Sequence, residues 1–445
     1  MNDMIIVLRS LRARLLASSM TVAMVAIAVA LLLVLLSLRE AASQAFRKGT
    51  GNVHLLVSAD ASPLVGVLNG LFYANAPANP ISWKKYQEIK ESFPWQWIIP
   101  TQLGDSFRGS PVMATTADFL RAFQPSSGQP FQFASGRAFE KEFEVVAGAQ
   151  AAAEHRLAVG QKIVFTHGTG GSREGGHEHA DHPYEVVGIL QSTGSAHDRA
   201  VFTNLESSWV THAEDRKKHG EHAEESTHAH DDHEGHDHDH DHDHHHAHVE
   251  IADLTDDDKL ITGILLRLPT RTGSDASASI GPQFDRLRRD VAISVAQPAQ
   301  QIGRLMALVG DIDWLFVAMA VVVLVSSAIS IMLAMVASME LRRRQVAVLR
   351  VLGASAWRVF TLAITESTLI GLIGALLGTV LAFIGSAVGS AILADRIGIV
   401  IASAIDPRAA AVVIAGAVAL AALAGIVPAI TAYRTPVARH LKPIA

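Results

Sequence analysis

One apolar stretch decides the fold class: LFVAMAVVVLVSSAISIMLAMVASM, residues 315–339. It contains no charged side chain, and a helix needs roughly 20 mostly apolar residues to cross the hydrocarbon core of a membrane. Three further windows share this character and predict spans over residues 17–38, 359–388 and 409–432. The whole chain agrees, because 49% of its 445 residues are hydrophobic, 18% are charged and its mean hydropathy is +0.26. The sequence therefore predicts an α-helical membrane protein with four transmembrane helices.

The first window also resembles a cleavable signal peptide. Arg9, Arg12 and Arg14 precede it, and Ala41-Ala42-Ser43 follows it. Its apolar run of about 22 residues exceeds the 7 to 15 residues of a signal-peptide core. We therefore expect this window to remain in the protein as a span.

Arginine and lysine residues near the spans predict their orientation, because short cytoplasmic loops are enriched in these residues. This rule assigns residues 1–16, an amphipathic segment, to the cytoplasm together with residues 340–358 and 433–445. Residues 39–314 and the short loop 389–408 then lie outside.

The long segment 39–314 predicts an α/β domain. Short apolar runs alternate with helical patterns, which is typical of a mixed sheet with helices on one or both faces. The helix nearest span two is expected to lead into it as a continuous stalk. Strands are predicted at residues 144–148, 162–166, 184–190 and 200–203, and helices at residues 83–92, 149–157 and 299–308.

An insertion of different composition, residues 211–250, interrupts this domain. It holds 14 of the 22 histidines and 13 acidic residues against 3 lysines and arginines. Val249 is its one aliphatic side chain larger than alanine. Such a segment buries too little apolar surface to offset the entropy of ordering, so we expect it to be disordered without a ligand.

The insertion also predicts metal binding. Imidazole suits zinc, copper and nickel, and histidines alternate with aspartates over residues 236–244, which places the imidazoles on one side of an extended chain. We expect weak binding at many sites, to zinc or another transition metal; the alternative is a solvated tract without a cellular role. The candidate ligands, which include a smaller upstream cluster, are His177, His179, His182, His228, His230, His233, His236, His238, His240, His242, His244, His245, His246 and His248.

Several classes of function are excluded or disfavoured. The chain has no cysteine, which excludes disulfides and thiolate metal sites. It has no Gly-x-x-x-x-Gly-Lys-(Ser/Thr) loop and no His-Glu-x-x-His run, so we expect no catalytic site and no bound nucleotide cofactor. A secondary metal transporter would need ligands near the bilayer midplane, yet the four apolar windows contain neither histidine nor aspartate. A membrane-bound metal sensor or enzyme is the third and equally weak alternative.

The segment after span two reads ELRRRQVAVLRVLGAS, residues 340–355. Val346, Leu349 and Leu352 recur at helical spacing among arginines, which predicts an amphipathic helix. Gly353 is placed to end that helix in a left-handed cap, and Ser355 to begin the next one. Taken alone, such a basic helix is also compatible with resting on anionic lipid.

At these residues the chain resembles the FtsX/MacB/LolC-like family of ABC transporter permeases, in which a MacB-like periplasmic core domain is combined with an FtsX-like permease domain. Members carry a Glu-Arg-Arg-x-Glu-(Ile/Phe)-(Gly/Ala)-x-Leu-Arg-Ala-(Leu/Met)-Gly-Ala run. This chain departs from it by one extra residue near Leu341, by Gln345 in place of glutamate and by Val351 in place of alanine. Stretches within residues 8–14, 136–160 and 428–441 also resemble the family. The matching residues of the run are Glu340, Arg342, Arg343, Ala347, Leu349, Arg350, Leu352, Gly353 and Ala354.

The resemblance implies a permease subunit in the bacterial inner membrane, with the large domain in the periplasm. It implies three kinds of partner: a cytoplasmic ATPase dimer, a second copy of the permease, and a periplasmic or outer-membrane protein. No nucleic acid is expected. In the family, the loop after span two docks on the ATPase, whose closure moves the outer domain. The coupling residues carried over to this chain are Glu340, Arg342, Arg343, Arg344, Val346, Leu349, Arg350, Leu352, Gly353 and Ala354.

Two functions stay open on this reading. Combined with the histidine-rich tract, the resemblance predicts a complex for zinc or other transition-metal homeostasis. The runner-up is a permease that exports a substrate or handles lipoproteins or peptides, in which the tract is incidental.

Three features within the spans carry separate expectations. Glu366 is expected to form an ion pair with Arg358 near the membrane interface rather than to mark an ion path. Pro428 is expected to kink or end span four. A stripe of small residues is expected to allow close helix packing, either between two copies or within one subunit: Gly371, Gly374, Gly378, Gly385 and Gly389.

Overall fold

The structure of the protein is a computed structural model. It describes residues 15–77, 79–125, 128–167, 182–225, 249–272, 274–351, 353–397 and 405–433, together with Val7, Arg9, Leu11 and Arg12. The chain divides into two compact units. We call them the membrane unit, Met1–Ser43 with Met306–Arg396 and Ile401–Ala445, and the α/β domain, Gln44–Leu305 with Ile397–Val400.

The helices of the described residues are, in chain order, α1 (Leu15–Thr50), α2 (Pro63–Phe72), α3 (Trp83–Glu91), α4 (Ala117–Ala122), α5 (Ala149–His155), α6 (Leu205–Glu225), α7 (Ile280–Leu287), α8 (Pro298–Val351), α9 (Ala356–Ile397), α10 (Pro407–Ala424) and α11 (Ile426–Tyr433). The strands are β1 (Leu55–Ser58), β2 (Ile81–Ser82), β3 (Trp97–Phe107), β4 (Ser110–Thr115), β5 (Phe133–Gly136), β6 (Glu144–Ala147), β7 (Lys162–Ile163), β8 (Thr166–His167), β9 (Tyr184–Leu190), β10 (Val201–Asn204), β11 (Leu260–Ile261), β12 (Gly263–Arg267) and β13 (Ser294–Ala296).

Four stretches of the described helices are long and apolar enough to cross a membrane: Ser18–Thr50, Val317–Ala337, Ala356–Ser390 and Pro407–Thr431. They confirm the four predicted spans. The helices of the membrane unit share one apolar core, in which Val29 of α1, Ile331 of α8, Ala375 of α9 and Ala417 of α10 are all buried.

Span four is interrupted between α10 and α11, as expected from a proline near its end. Pro428 has no N–H to donate to the carbonyl of Ala424, one turn earlier. The helix breaks at Gly425, whose N–H donates to the carbonyls of Ala421 and Ala422 at 3.1 Å each. A Cβ at Gly425 would lie 2.1 Å from Oγ of Ser367, so only glycine fits at the break.

The glycine stripe of α9 packs within one subunit. A Cβ at Gly371 would lie 2.3 Å from Cβ of Ala421, and one at Gly378 would lie 2.6 Å from the carbonyl oxygen of Ala26. A Cβ at Gly374 would lie 2.7 Å from Cβ of Val25. A Cβ at Gly389 would meet nothing within 4 Å. The first part of the stripe therefore brings α9 close to α1 and α10.

The only acidic residue of the third window, Glu366, is buried at 7% exposure. Its neighbour Ser367 is fully buried and donates a hydrogen bond to the carbonyl of Ile364 at 2.9 Å. The ion pair between Glu366 and Arg358 stays a prediction.

One mixed sheet of eleven strands forms the centre of the α/β domain. Its strand order is β13-β1-β12-β3-β4-β10-β6-β9-β5, with β7 paired to β9 and β8 to β3, and β2 and β11 form a separate pair. Most neighbours are antiparallel, whereas β4 with β10 and β6 with β9 are parallel. Strands β1, β6 and β12 are buried along their whole length, which is typical of strands covered on both faces. The predicted mixed α/β domain is confirmed.

Most predicted helices and strands of this domain begin and end within two residues of the observed ones. The strand expected over residues 162–166 is the exception, because the structure contains two short strands there, β7 and β8. They are separate because β7 pairs with β9 and β8 pairs with β3. The predicted stalk, residues 299–308, is part of α8.

The expectation of disorder from residue 211 onward is wrong for residues 211–225. These residues are the continuation of α6, in which Trp209, Thr211 and Ala213 are at most 5% exposed. The helix continues into the tract because its first turns pack into the domain core. Val249, beyond the tract's histidines, is buried in the same core. Residues 226–248 lie outside the described residues.

Close packing of α9 gives a testable consequence. Replacing Gly378 with alanine forces α9 away from the backbone of α1, which should destabilise the protein by about 1–3 kcal/mol. Gly389→Ala introduces the same methyl group into open space and serves as the matched control. Thermal unfolding in detergent should show a lower melting temperature for Gly378→Ala alone. Equal melting temperatures for the two variants would contradict this packing.

Candidate functional site

The last turn of α1 is fixed to the α/β domain by a buried histidine. His197 is 1% exposed, and its Nε2 donates to the carbonyl of Gly49 at 3.0 Å. Its Nδ1 accepts from the hydroxyl of Tyr73 at 2.6 Å. Burial lowers the pKa of His197 to about 4, so the ring is neutral at physiological pH. Both nitrogens of the neutral ring therefore have a hydrogen-bond partner.

Aromatic rings and an arginine complete this cluster. The ring of His197 makes T-shaped contacts with three phenylalanine rings, those of Phe119, Phe123 and Phe131. Their centroids lie 4.9 to 5.9 Å from that of His197. Arg199 donates to the carbonyls of residues 72 and 73 at 2.8 Å each, which satisfies the C-terminal end of α2. We call Gly49, Tyr73, His197 and Arg199 the α1 anchor. It fastens to the domain a helix whose other end belongs to the membrane unit.

The motif around Gly136, which carried part of the family resemblance, has a structural role. Gly136 has a positive φ of 75°, and a Cβ there would lie 2.0 Å from the carbonyl oxygen of Val187. Arg137 forms a two-pronged ion pair with Glu144, at 2.6 and 2.9 Å. This bond with the guanidinium lowers the pKa of Glu144 to about 2. The motif therefore joins β5 to β6.

The predicted coupling stretch is the end of α8. Helix α8 runs for 54 residues without interruption, so the stalk, span two and the amphipathic segment form a single helix. It ends before Gly353, which has the positive φ of 97° expected of a left-handed cap. Oγ of Ser355 accepts from the N–H of Arg358 at 3.2 Å, and α9 begins at Ala356. The predicted cap and helix start are confirmed.

For residues 338–350 the structure describes the backbone alone, and Leu352 lies outside the described residues. The coupling role of these side chains stays a prediction: Glu340, Arg342, Arg343, Arg344, Val346, Leu349, Arg350 and Leu352.

Of the predicted metal ligands, His182 lies within the described residues. Its Nε2 donates to Oε2 of Glu214 at 2.6 Å, and its ring stacks on Phe143 with centroids 4.8 Å apart. The other Glu214 oxygen accepts from the N–H of Val249 at 3.0 Å. Metal binding by the predicted set stays a prediction, and these members lie outside the described residues: His177, His179, His228, His230, His233, His236, His238, His240, His242, His244, His245, His246 and His248.

A second group of histidines and a carboxylate was missed by the sequence reasoning. We call Asp105, His167 and His212 the Asp105 cluster. His167 Nδ1 donates to Oδ1 of Asp105 at 3.2 Å, and His212 Nε2 donates to Oδ2 at 3.1 Å. This bond to the carboxylate raises the pKa of His167. The only sequence signals were the places of His167, directly before the glycine-rich loop, and of His212, at the start of the tract.

The buried His197 predicts how stability depends on pH. Its folded pKa of about 4 lies below the ordinary 6.5, so the unfolded chain takes up the proton first as the pH falls. The contribution is complete above pH 6.5 and is lost progressively between pH 6.5 and 4. Within that range the slope of unfolding free energy against pH should be shallower in His197→Gln, by up to about 1.4 kcal/mol per pH unit. Chemical denaturation across this range measures it, and parallel curves would contradict the assignment.

Comparison with protein families matches residues 18–229 to the MacB-like periplasmic core domain and residues 317–437 to the FtsX-like permease C-terminal. A search of curated proteins finds no match. Among solved structures, the chain is similar to the extracellular domain of the noncanonic ABC-type transporter YknZ from Gram-positive bacteria, at 8% identity. That match covers 50% of this chain and 96% of that domain with a TM-score of 0.25, which supports no conclusion about this chain.

The first matched range falls mainly on the α/β domain, and the second falls on the membrane unit. The first contains α1 and the strands β1 to β10 of the domain, and the second contains the membrane part of α8 with α9, α10 and α11. The chain therefore belongs to the FtsX/MacB/LolC-like family of ABC transporter permeases, whose members are membrane components of transporters and not enzymes themselves.

Proposed function

We propose that this chain is the permease subunit of an ABC complex that transmits motion through the membrane instead of conducting a substrate between its own helices. A separate cytoplasmic ATPase dimer supplies the energy. Two copies of the permease assemble in the bacterial inner membrane, with their α/β domains in the periplasm. Closure of the ATPase pushes on the coupling residues at the end of α8 and displaces the α/β domain.

The continuity of α8 is the observation that carries this proposal. At 1.5 Å per residue its 54 residues give a length of roughly 80 Å. It begins at Pro298 in the α/β domain, contains span two, and ends at Val351 in the predicted coupling stretch. Because the helix is uninterrupted, a displacement at one end of α8 is transmitted to its other end.

The α1 anchor supports the same mechanism. Helix α1 also begins in the membrane unit and ends in the α/β domain. The bond from His197 to Gly49 lies in a dry aromatic environment, where a hydrogen bond is stronger than in water. A displacement of α1 is therefore passed to the sheet instead of being absorbed at the helix end.

The composition of the spans disfavours a path through them. Glu366 is the only acidic side chain in the four apolar windows, and they contain no histidine or aspartate. A permease that carries motion needs no polar lining, whereas a secondary transporter of metal ions does.

Coupling is tested by placing a charge on the apolar face of the predicted docking helix. Leu349→Asp should abolish the permease-stimulated ATP hydrolysis of the partner ATPase while leaving membrane insertion intact, because a buried carboxylate opposes docking. Val291→Asp is the matched control, since Val291 is fully exposed in the α/β domain. Both are assayed in proteoliposomes with the ATPase added. Normal stimulation by Leu349→Asp would remove the coupling assignment.

We also propose that the complex serves zinc or other transition-metal homeostasis. The support is the concentration of histidines in residues 211–250, among which imidazoles and carboxylates alternate over residues 236–244. The competing function is export of a substrate, or handling of lipoproteins or peptides, with an incidental tract. It predicts the same coupling to ATP and no response to metal.

The two functions are separated by the metal dependence of ATP hydrolysis. Residues 226–248 are replaced by a glycine-serine linker of equal length, and not 211–250, because residues 211–225 are helical and Thr211 and Ala213 are buried. We expect micromolar zinc to change the ATPase rate of the complex and the replacement to abolish that change. An ATPase rate that zinc does not change, with or without the tract, would favour the competing function.

A further inference from the structure

The Asp105 cluster lies in the α/β domain, apart from the coupling stretch and from the α1 anchor. One atom from each of its three side chains lies within 4.8 Å of the others. The Asp105 side chain is 9% exposed and that of His212 is 16% exposed, whereas that of His167 is 58% exposed. Asp105 and His212 are therefore largely enclosed by the domain, whereas His167 is exposed to solvent.

Three separate elements bring these residues together. Asp105 follows a β-bulge in β3, where Leu103 faces Met113 and Asp105 faces the adjacent Val112. Without the extra residue, Asp105 would point to the same face as the buried Leu103, because side chains alternate along a strand. The bulge turns the carboxylate to the other face. There His167 is its direct cross-strand partner on β8, and His212 approaches from α6.

The donor set and its spacing fit a transition-metal ion. Zinc binds imidazole nitrogen and carboxylate oxygen at about 2.0–2.2 Å, so neighbouring ligand atoms of a tetrahedral site are about 3.4 Å apart. The two distances from Asp105 oxygens to imidazole nitrogens are 3.2 and 3.1 Å. The two imidazole rings are nearly perpendicular, with centroids 5.3 Å apart. The nitrogen of each imidazole that now faces Asp105 is the atom that would bind the ion.

A further carboxylate is close to the same point. Asp215 follows His212 by three residues on α6, which places both on one face of the helix. Three protein ligands leave a fourth coordination position for this carboxylate or for water.

Residues that flank the two histidine-bearing segments lie close to the cluster. The described chain stops at His167 and resumes at His182, and the intervening residues include His177 and His179. His182 is bound to Glu214, two residues after His212 on α6. The same Glu214 receives the N–H of Val249, where the chain returns from the tract. Both histidine-bearing segments therefore begin and end beside α6.

We propose that Asp105, His167 and His212 bind one divalent transition-metal ion, with zinc as the ion that the ligand set fits best, and that this site binds more tightly than the repeated histidines of the tract. The ligands are already positioned by β3, β8 and α6, so little entropy is lost when the ion binds. The proposal extends the proposed metal role but does not depend on coupling to an ATPase.

The site is tested in the full-length protein in detergent, without an ATPase. In the background variant every histidine of residues 168–181 and 217–248 is replaced by serine, so that the tract no longer competes. Cobalt(II) is titrated first, because its visible absorption reports the ligand geometry, and zinc is then added. We expect one cobalt ion per chain, displaced by one zinc ion.

Single substitutions in this background identify the ligands. Asp105→Asn and His212→Gln should each weaken zinc binding at least about tenfold. His155→Gln is the matched control, because His155 is a partly buried histidine of the same domain that bonds to the hydroxyl of Ser110. It should bind like the background. Near-UV circular dichroism checks that each variant is folded. A variant that fails this check is replaced by His167→Gln, because His167 is the most exposed of the three ligands.

Two results would overturn the proposal. In one, the background protein binds no cobalt, which would assign all metal binding to the tract and leave the Asp105 cluster as hydrogen-bonded side chains only. In the other, the ligand variants bind zinc as tightly as His155→Gln. Neither result touches the proposed coupling, since no ATPase is present in the titration.

Discussion

The hydrocarbon core of the membrane imposes the constraint on which the rest of this structure depends. Backbone N–H and C=O groups have no water to bond to there, so the apolar segments cross it as helices, whose backbone groups bond to one another. In α8 this helix continues well beyond the crossing in both directions, to Pro298 and to Val351. The helix that crosses the bilayer therefore also joins the α/β domain to the predicted coupling stretch.

What the sequence predicts well in this protein depends on local chemistry. The four spans follow from apolar composition alone. Gly353 and Ser355 mark the end of α8 and the start of α9 because a left-handed residue and a side-chain acceptor are needed at those two positions. The break before Pro428 follows from one missing N–H. Each of these features is decided within a few residues of the chain.

The features that were missed depend on contacts between distant residues. The Asp105 cluster requires β3 to pair with β8, which are 62 positions apart at Asp105 and His167. It also requires the bulge in β3, and Gly104, which signals a bulge, does not tell which distant residues the bulge brings together. Residues 211–225 have the composition of a disordered segment, yet they are helical because the preceding turn of α6 inserts Trp209 into the core. The close packing of the first part of the glycine stripe likewise depends on tertiary contacts, with Ala26 and Ala421 as neighbours.

In the proposed mechanism, energy supplied by another subunit moves the α/β domain. The absence of cysteine allows one direct measurement, because a single introduced cysteine carries the only spin label in each chain. Val291→Cys places that label at a fully exposed position of the α/β domain. Distances between the labels of two copies are then measured by pulsed electron spin resonance, with the ATPase present, before and after it is trapped with ATP and vanadate. We expect a shift in the distance distribution that requires both nucleotide and ATPase. An unchanged distribution, or a shift with nucleotide alone, would contradict the proposed mechanism.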